Sequence, residues 1–185
     1  AAQVEISPHQ LAFRHATLRH GNTAIAFDLS AALQNRQFTD LTPLNGDFSM
    51  ANADVADTLA LAGLSYPATG IFDLTFRLSG TRSLPQGAGH LQLRRGTLYG
   101  RSIDSLSSDL ILKGTQIQLN NLALALNGGK IDGAGTYDLA SQAIQLNVQG
   151  KAFDLANIAD LQRGRVRIDG TLDFQANGKG GGNVG

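Results

Sequence analysis

The stretch Gly70-Ile71-Phe72-Asp73-Leu74-Thr75-Phe76-Arg77-Leu78 sets Phe72, Leu74, Phe76 and Leu78 against Asp73, Thr75 and Arg77. Successive side chains of an extended strand point to opposite faces, so this segment has one oily side and one wet side. The alternation recurs. Leu91 and Leu93 flank Gln92, Ile117 and Leu119 flank Gln118, and Ile144, Leu146 and Val148 alternate with Gln145 and Asn147. Antiparallel sheet solvated on one face has this pattern. The segment also has an echo one hundred residues on. Gly70-Ile71-Phe72-Asp73-Leu74 answers to Gly170-Thr171-Leu172-Asp173-Phe174, and Ala53-Asp54-Val55-Ala56-Asp57 to Phe153-Asp154-Leu155-Ala156-Asn157. The chain therefore reads as a repeat array of β-structure, and arrays usually present a surface instead of housing a reaction.

Turn residues mark the joints. Asn127-Gly128-Gly129 between two alternating segments is a hairpin signal, and Arg19-His20-Gly21-Asn22, Arg94-Arg95-Gly96-Thr97 and Leu112-Lys113-Gly114-Thr115 read as further tight connections. Strands are expected near 11–19, 23–29, 36–40, 45–51, 70–79, 88–94, 96–100, 108–113, 115–120, 122–126, 130–138, 143–150, 165–169 and 171–177. Leu122, Leu124 and Leu126 alternate with Ala123 and Ala125, which suggests a strand covered on both sides. Two segments break the period. Residues 54–62 and 154–161 carry helical spacing, with Asn52 or Asp54 to cap the first and Gly63 to end it. They read either as lids over an apolar opening or as connectors on a sheet edge. The loop Gly80–Gly89, with Pro85, divides a first unit (10–80) from a second (88–178), expected to form one continuous sheet. Residues 179–185 read as a flexible tail, and both termini look like cuts in a larger protein.

The composition narrows the function. Of 185 residues 42% are hydrophobic, enough for a folded chain, and the 22 glycines exceed the usual share of about 7%. Tryptophan is absent, so a large aromatic-built pocket is not expected. Fifteen basic residues balance fifteen acidic ones with no block of like charge, which argues against a nucleic-acid partner. Arg163, Arg165 and Arg167 alternate along one expected strand, as on a solvated face. There is no cysteine, hence no disulfide and no thiolate metal site, and no run of 18 apolar residues.

Catalytic groupings do not emerge. His9, His15, His20 and His90 lack metal-ligand spacing, and no nucleophile elbow or phosphate loop occurs. Asp28, Asp73, Asp138 and Asp173 sit between apolar neighbours and are expected on the wet face, with no pair singled out for acid–base work. Gly133-Ala134-Gly135 reads as a bend or bulge in a strand. Neither an enzyme, nor a cofactor, nor a metal site is expected.

A family resemblance lies in the order of these pieces. Leu91-Gln92-Leu93-Arg94-Arg95-Gly96-Thr97-Leu98-Tyr99-Gly100 is followed by Leu122-Ala123-Leu124-Ala125-Leu126-Asn127-Gly128-Gly129-Lys130-Ile131-Asp132-Gly133-Ala134-Gly135-Thr136-Tyr137-Asp138-Leu139, then Phe153-Asp154-Leu155 and Gly170-Thr171-Leu172. Over roughly residues 11–178 the chain resembles the AsmA-like superfamily, which includes the TamB and YhdP proteins of the Gram-negative envelope. The resemblance implies an elongated, curved antiparallel sheet, a β-taco or half-open barrel, with one or two short helices. It implies a periplasmic segment of a protein anchored to the inner membrane. Its apolar groove would guide phospholipid acyl chains between the inner and outer membranes in outer-membrane biogenesis. The alternative role is a scaffold for outer-membrane protein insertion or secretion, with outer-membrane assembly proteins as partners and no lipid carriage. The family has no fixed catalytic residues to carry over.

The residues alone reach part of this. Twelve to fourteen strands about 4.8 Å apart would span roughly 55–65 Å. The groove lining is expected from Phe72, Leu74, Phe76, Leu91, Leu93, Ile117, Leu119, Ile144, Leu146, Val148, Leu172 and Phe174. The competing architecture is a β-sandwich, in which the same alternation fills a sealed core.

Overall fold

The computed structural model describes residues 1–181 other than 22, 62, 64, 127 and 155–169. Among them the chain forms eleven strands and one helix: β1 (Gln3–Ile6), β2 (Gln10–His20), β3 (Thr23–Ala32), β4 (Leu44–Asp54), α1 (Val55–Leu61), β5 (Ala68–Gly80), β6 (Pro85–Leu98), β7 (Arg101–Lys113), β8 (Gln116–Leu126), β9 (Gly129–Asp138), β10 (Ile144–Asp154) and β11 (Thr171–Gly180). Each strand pairs antiparallel with its sequence neighbours, giving one sheet in the order β1 to β11. Ten spacings of about 4.8 Å give it a width of roughly 48 Å. The sheet does not close into a barrel.

Among the described residues no second layer packs on it. Apart from neighbouring strands, the substantial contacts among the described residues are those of α1 with β4 and β5. The β-sandwich alternative is thereby excluded. The core is correspondingly thin: Met50, Ala53 and Phe72 form its buried centre, with Phe48, Leu74, Leu91, Leu93 and Val55 packed against it. The strand Leu122–Leu126 is likewise uncovered on its alanine side, contrary to the expectation of two-sided cover, because Ala123 and Ala125 pair with Ser107, Ser105, Asp132 and Lys130 on the wet face.

Several expected breaks are continuous strand. Residues 94–97 do not turn; they lie inside β6, where Arg95 takes a left-handed φ of 45°. The expected strands at 115–120 and 122–126 are one strand, β8, bulged at Asn121 with φ 51°. Residues 36–40 form no strand and belong to the loop joining β3 to β4. The short β1 and the first half of β7 were not expected. The joint near Pro85 is an ordinary β5–β6 hairpin within the sheet. Lys179 and Gly180, expected in the tail, pair with Gln145 and Ile144. The helix expected at 154–161 and the strand at 165–169 lie outside the described residues, save Asp154, which ends β10.

The bulges follow one rule. His15, Asn52, Asn121 and Ala152 have φ between 49° and 58°, and each sits where the strand register shifts. On either side the apolar spacing jumps from two to three, as in Phe13/Ala16, Met50/Ala53, Leu119/Leu122 and Gly150/Phe153. Without correction, a slip of one residue would turn the rest of the strand inside out. The bulge absorbs the extra residue and keeps the oily side chains on one face.

Candidate functional site

Side chains directly opposite each other in a sheet share a face, so the register assigns every strand position to a side. One row runs through all eleven strands: Val4, Phe13, Leu29, Gly46, Leu78, Gly87, Leu112, Ile117, Tyr137, Ile144 and Gly180. A second runs from β2 to β11 through Ala16, Phe27, Phe48, Phe76, Gly89, Leu110, Leu119, Gly135, Leu146 and Gly178. A third runs from β4 to β11 through Ala53, Phe72, Leu93, Leu106, Leu124, Ile131, Gly150 and Phe174. None of the three rows carries a charge.

The twelve residues expected to line the groove all fall on this face: Leu91 pairs with Leu74, Val148 with Gly133, and Leu172 with Phe153. Phe72 is buried, Ile144 and Leu172 are exposed, and the others are half-buried. The alternation within each strand revealed them. It did not single out Leu106, Leu110, Ile131 or Phe27, which join the rows through cross-strand register; Leu124 was read within an alternating strand but not as part of the lining. Ser108 is the polar intruder. It is buried, and its hydroxyl donates to the carbonyls of Asn120 (3.0 Å) and Asp109 (3.2 Å), so it presents no unsatisfied group.

Glycine governs the relief of the face. A Cβ on Gly89 would meet Phe76 Cδ2 at 2.6 Å, one on Gly135 would meet Leu146 Cδ2 at 2.6 Å, and one on Gly150 would meet Phe174 Cε1 at 2.2 Å. Large side chains therefore lie down over the glycines of the adjoining strand. The high glycine content is thus spent on packing within a single layer.

Two elements reach over the face from opposite strand ends. α1 follows β4, and its Val55 packs on the Met50–Ala53–Phe72 centre. Asp54 caps it, Oδ1 accepting from the Asp57 N–H at 3.0 Å. At the other end Phe38, from the β3–β4 loop, borders an open hollow of about 270 Å³ with Leu11, Phe13, Leu29, Leu44 and Leu78. That loop is tied to the β5–β6 hairpin by Asp40 with Arg82, and the Arg82 guanidinium lies 5.9 Å from the centre of the Phe38 ring.

The opposite face holds the charge. Asp47 pairs with Arg77 (2.7 Å), Asp109 with His90 (2.8 Å) and Asp73 with Arg94. The Asp47 carboxylate raises the Arg77 pKa by hydrogen bond and by charge. Hydrogen bonds from Asn121 and His90 lower that of Asp109. Asp28, Asp73 and Asp173 also serve the bulges. Their carboxylates accept the backbone N–H of His15 (2.8 Å), Asn52 (2.9 Å) and Ala152 (2.8 Å). The larger hollows of this face, about 360 and 700 Å³, are solvated dips over small residues such as Ala26, Ala88 and Ala134. They gather no catalytic grouping, and no cluster of three or more His, Asp or Glu able to hold a metal occurs among the described residues.

Comparison with known proteins adds no relative: no family model, no curated protein and no solved structure matches the chain.

Proposed function

We propose that the apolar face is a lipid-contacting trough, and that the chain is a non-catalytic, AsmA/TamB-like segment which guides phospholipid acyl chains across the periplasm. The observation that carries this reading is the set of three uncharged rows, continuous over eight to eleven strands, with no second layer over them. An exposed apolar patch far beyond a few hundred Å² marks an interaction surface in soluble proteins.

The energetics suit passage better than storage. A fully buried methylene gains about 0.8 kcal/mol, and a chain lying on an open face buries about half of itself. A dozen methylenes then gain roughly 5 kcal/mol, which corresponds to a dissociation constant of about 0.2 mM per chain. The rows repeat the same chemistry from strand to strand, so neighbouring positions hold a chain about equally well. That permits sliding and gives little selectivity between acyl chains.

The test is lipid retention. The chain is incubated with phospholipid vesicles, re-isolated, and its bound lipid measured by mass spectrometry. Bound phospholipid is expected for the unaltered chain, with most of it lost in Leu93→Asp and Leu146→Asp. Ser49→Asp, on the wet face, should retain it. Equal lipid on all variants, or none on the unaltered chain, refutes the proposal.

A further inference from the structure

The wet face changes character across the sheet. From β4 to β7 its charged groups are matched to one another, Asp47 to Arg77, Asp73 to Arg94 and Asp109 to His90. In the middle of β8 to β11 side-chain amides take over. The register sets Gln118, Thr136, Gln145 and Lys179 in one row and Ala134, Asn147 and Asn177 in the next. These two rows, with Asn120, line a hollow of about 700 Å³. Asparagine is depleted in strands, so strand propensity does not account for three of them around one hollow.

The fold does not use these amides. Gln118 Nε2 donates to Gln116 Oε1 at 3.1 Å. The side chains of Asn120, Thr136, Gln145, Asn147 and Asn177 make no hydrogen bond among the described residues. Each amide offers two N–H donors and a carbonyl acceptor. The hollow is therefore walled by donors and acceptors that only solvent or a ligand can satisfy.

The lining selects the class of ligand. Lys179 is its one charged group, so a polyanion finds a single counter-charge there and a cation finds none. An apolar guest would bury the amides unpaired, at a cost. A neutral molecule dense in hydrogen-bonding groups is what fits. We propose that the hollow binds a neutral glycan chain. A hydroxyl both donates and accepts, so it matches either end of an amide. The floor is low, formed by Ala134, Gly135 and Gly178, and a Cβ on Gly178 would meet nothing within 4 Å, so a sugar ring can approach the backbone closely. An extended peptide fits less well. It presents one donor and one acceptor per residue along a single line, whereas the amides stand in rows across neighbouring strands about 4.8 Å apart. The hollow lies on the face opposite the trough, so the proposal stands whether or not the apolar face carries lipid.

The experiment uses the whole chain. Backbone and side-chain amide signals are followed by NMR while cellotetraose, maltotetraose and chitotetraose are added separately to millimolar concentration. Saturable shifts are expected with at least one of them, centred on Asn120, Gln145, Asn147 and Asn177. Asn147→Ala removes one neutral hydrogen-bonding partner and should raise the dissociation constant about fivefold. Ala134→Arg fills the floor without removing an amide and should abolish the shifts. Both positions are exposed, so the rest of the spectrum should show an unchanged fold. No saturable shift with any of the three sugars overturns the proposal. Binding that survives both substitutions overturns it as well, by placing the contact elsewhere. Equal shifts from an uncharged glycine–serine peptide also overturn it, by showing a surface that does not prefer sugar.

Discussion

Single residues carry more here than in a two-layered protein, because each strand packs only on its neighbours. Gly150 is buried under the Phe174 ring, with three ring atoms within 2.7 Å of any Cβ. Gly150→Ala must push that ring away, and overpacking of this kind costs about 1–3 kcal/mol. The urea midpoint should fall with an unchanged slope. Asp138 has a different task, holding the β9–β10 turn. Its carboxylate accepts the N–H of Ser141 (2.8 Å) and Ala140 (3.0 Å) and the hydroxyls of Ser141 and Thr115 (2.9 Å each). These bonds, led by that from the Ser141 N–H, depress its pKa below the usual carboxylate value. A depressed folded-state pKa gives stability that is present above the unfolded-state value and lost as pH falls through the folded one. Asp138→Asn should therefore be less stable than the unaltered chain at pH 7. The gap should narrow as pH falls below the usual carboxylate range and Asp138 loses its charge. Chemical denaturation across a series of pH values from 7 downward measures it.

At the scale of the element, the bulge decides what sequence reasoning could and could not see. Alternation placed ten of the eleven strands in whole or in part, because a half-buried strand advertises its period. Arg94–Thr97 imitated a turn, since a left-handed Arg95 next to Gly96 has turn chemistry while the hydrogen-bonded ladder runs on through it. Asn121 likewise divided β8 on paper but not in the sheet. The Gln3–Ile6 edge was too short to be noticed, and the serines of β7 hid its first half. The hundred-residue echo did have a physical cause: Asn52 and Ala152 are equivalent bulges, and Asp73 and Asp173 each accept a bulge N–H. Asp73→Ala should cost about 1 kcal/mol, the net worth of such a bond at an exposed site, and should speed amide exchange at Asn52 before the rest of β4. The cap of α1 obeys similar arithmetic. Asp54→Ala removes the acceptor of the Asp57 N–H, costs about 1 kcal/mol, and should fray α1 while the strands persist, which exchange at 55–61 will show.

For the whole molecule, an apolar face and the twelve residues expected to line it were legible from alternation within strands, but the rows that cross the strands were not. Leu106 and Ile131 join Leu124 in the middle of the third row only because β7, β8 and β9 fall into register, and register depends on turns and bulges across the whole sheet. The resulting face has a testable length. A closed pocket binds a best-fitting chain and rejects longer ones, while an open trough of roughly 48 Å far exceeds one acyl chain, since half a bilayer's hydrocarbon core is about 15 Å. Affinity for single-chain amphiphiles should then rise steadily with length. Half-burial gives about 0.4 kcal/mol per added methylene, or about twofold in the dissociation constant. Isothermal titration of a series from eight to sixteen carbons, below the micelle threshold, should trace a straight line in binding free energy. A maximum within the series would mean a bounded site, such as the hollow beside Phe38, and would move the binding site off the open rows. Leu93→Asp interrupts the third row and should lower the slope of that line, because part of each added length then lies against a hydrated carboxylate instead of a leucine.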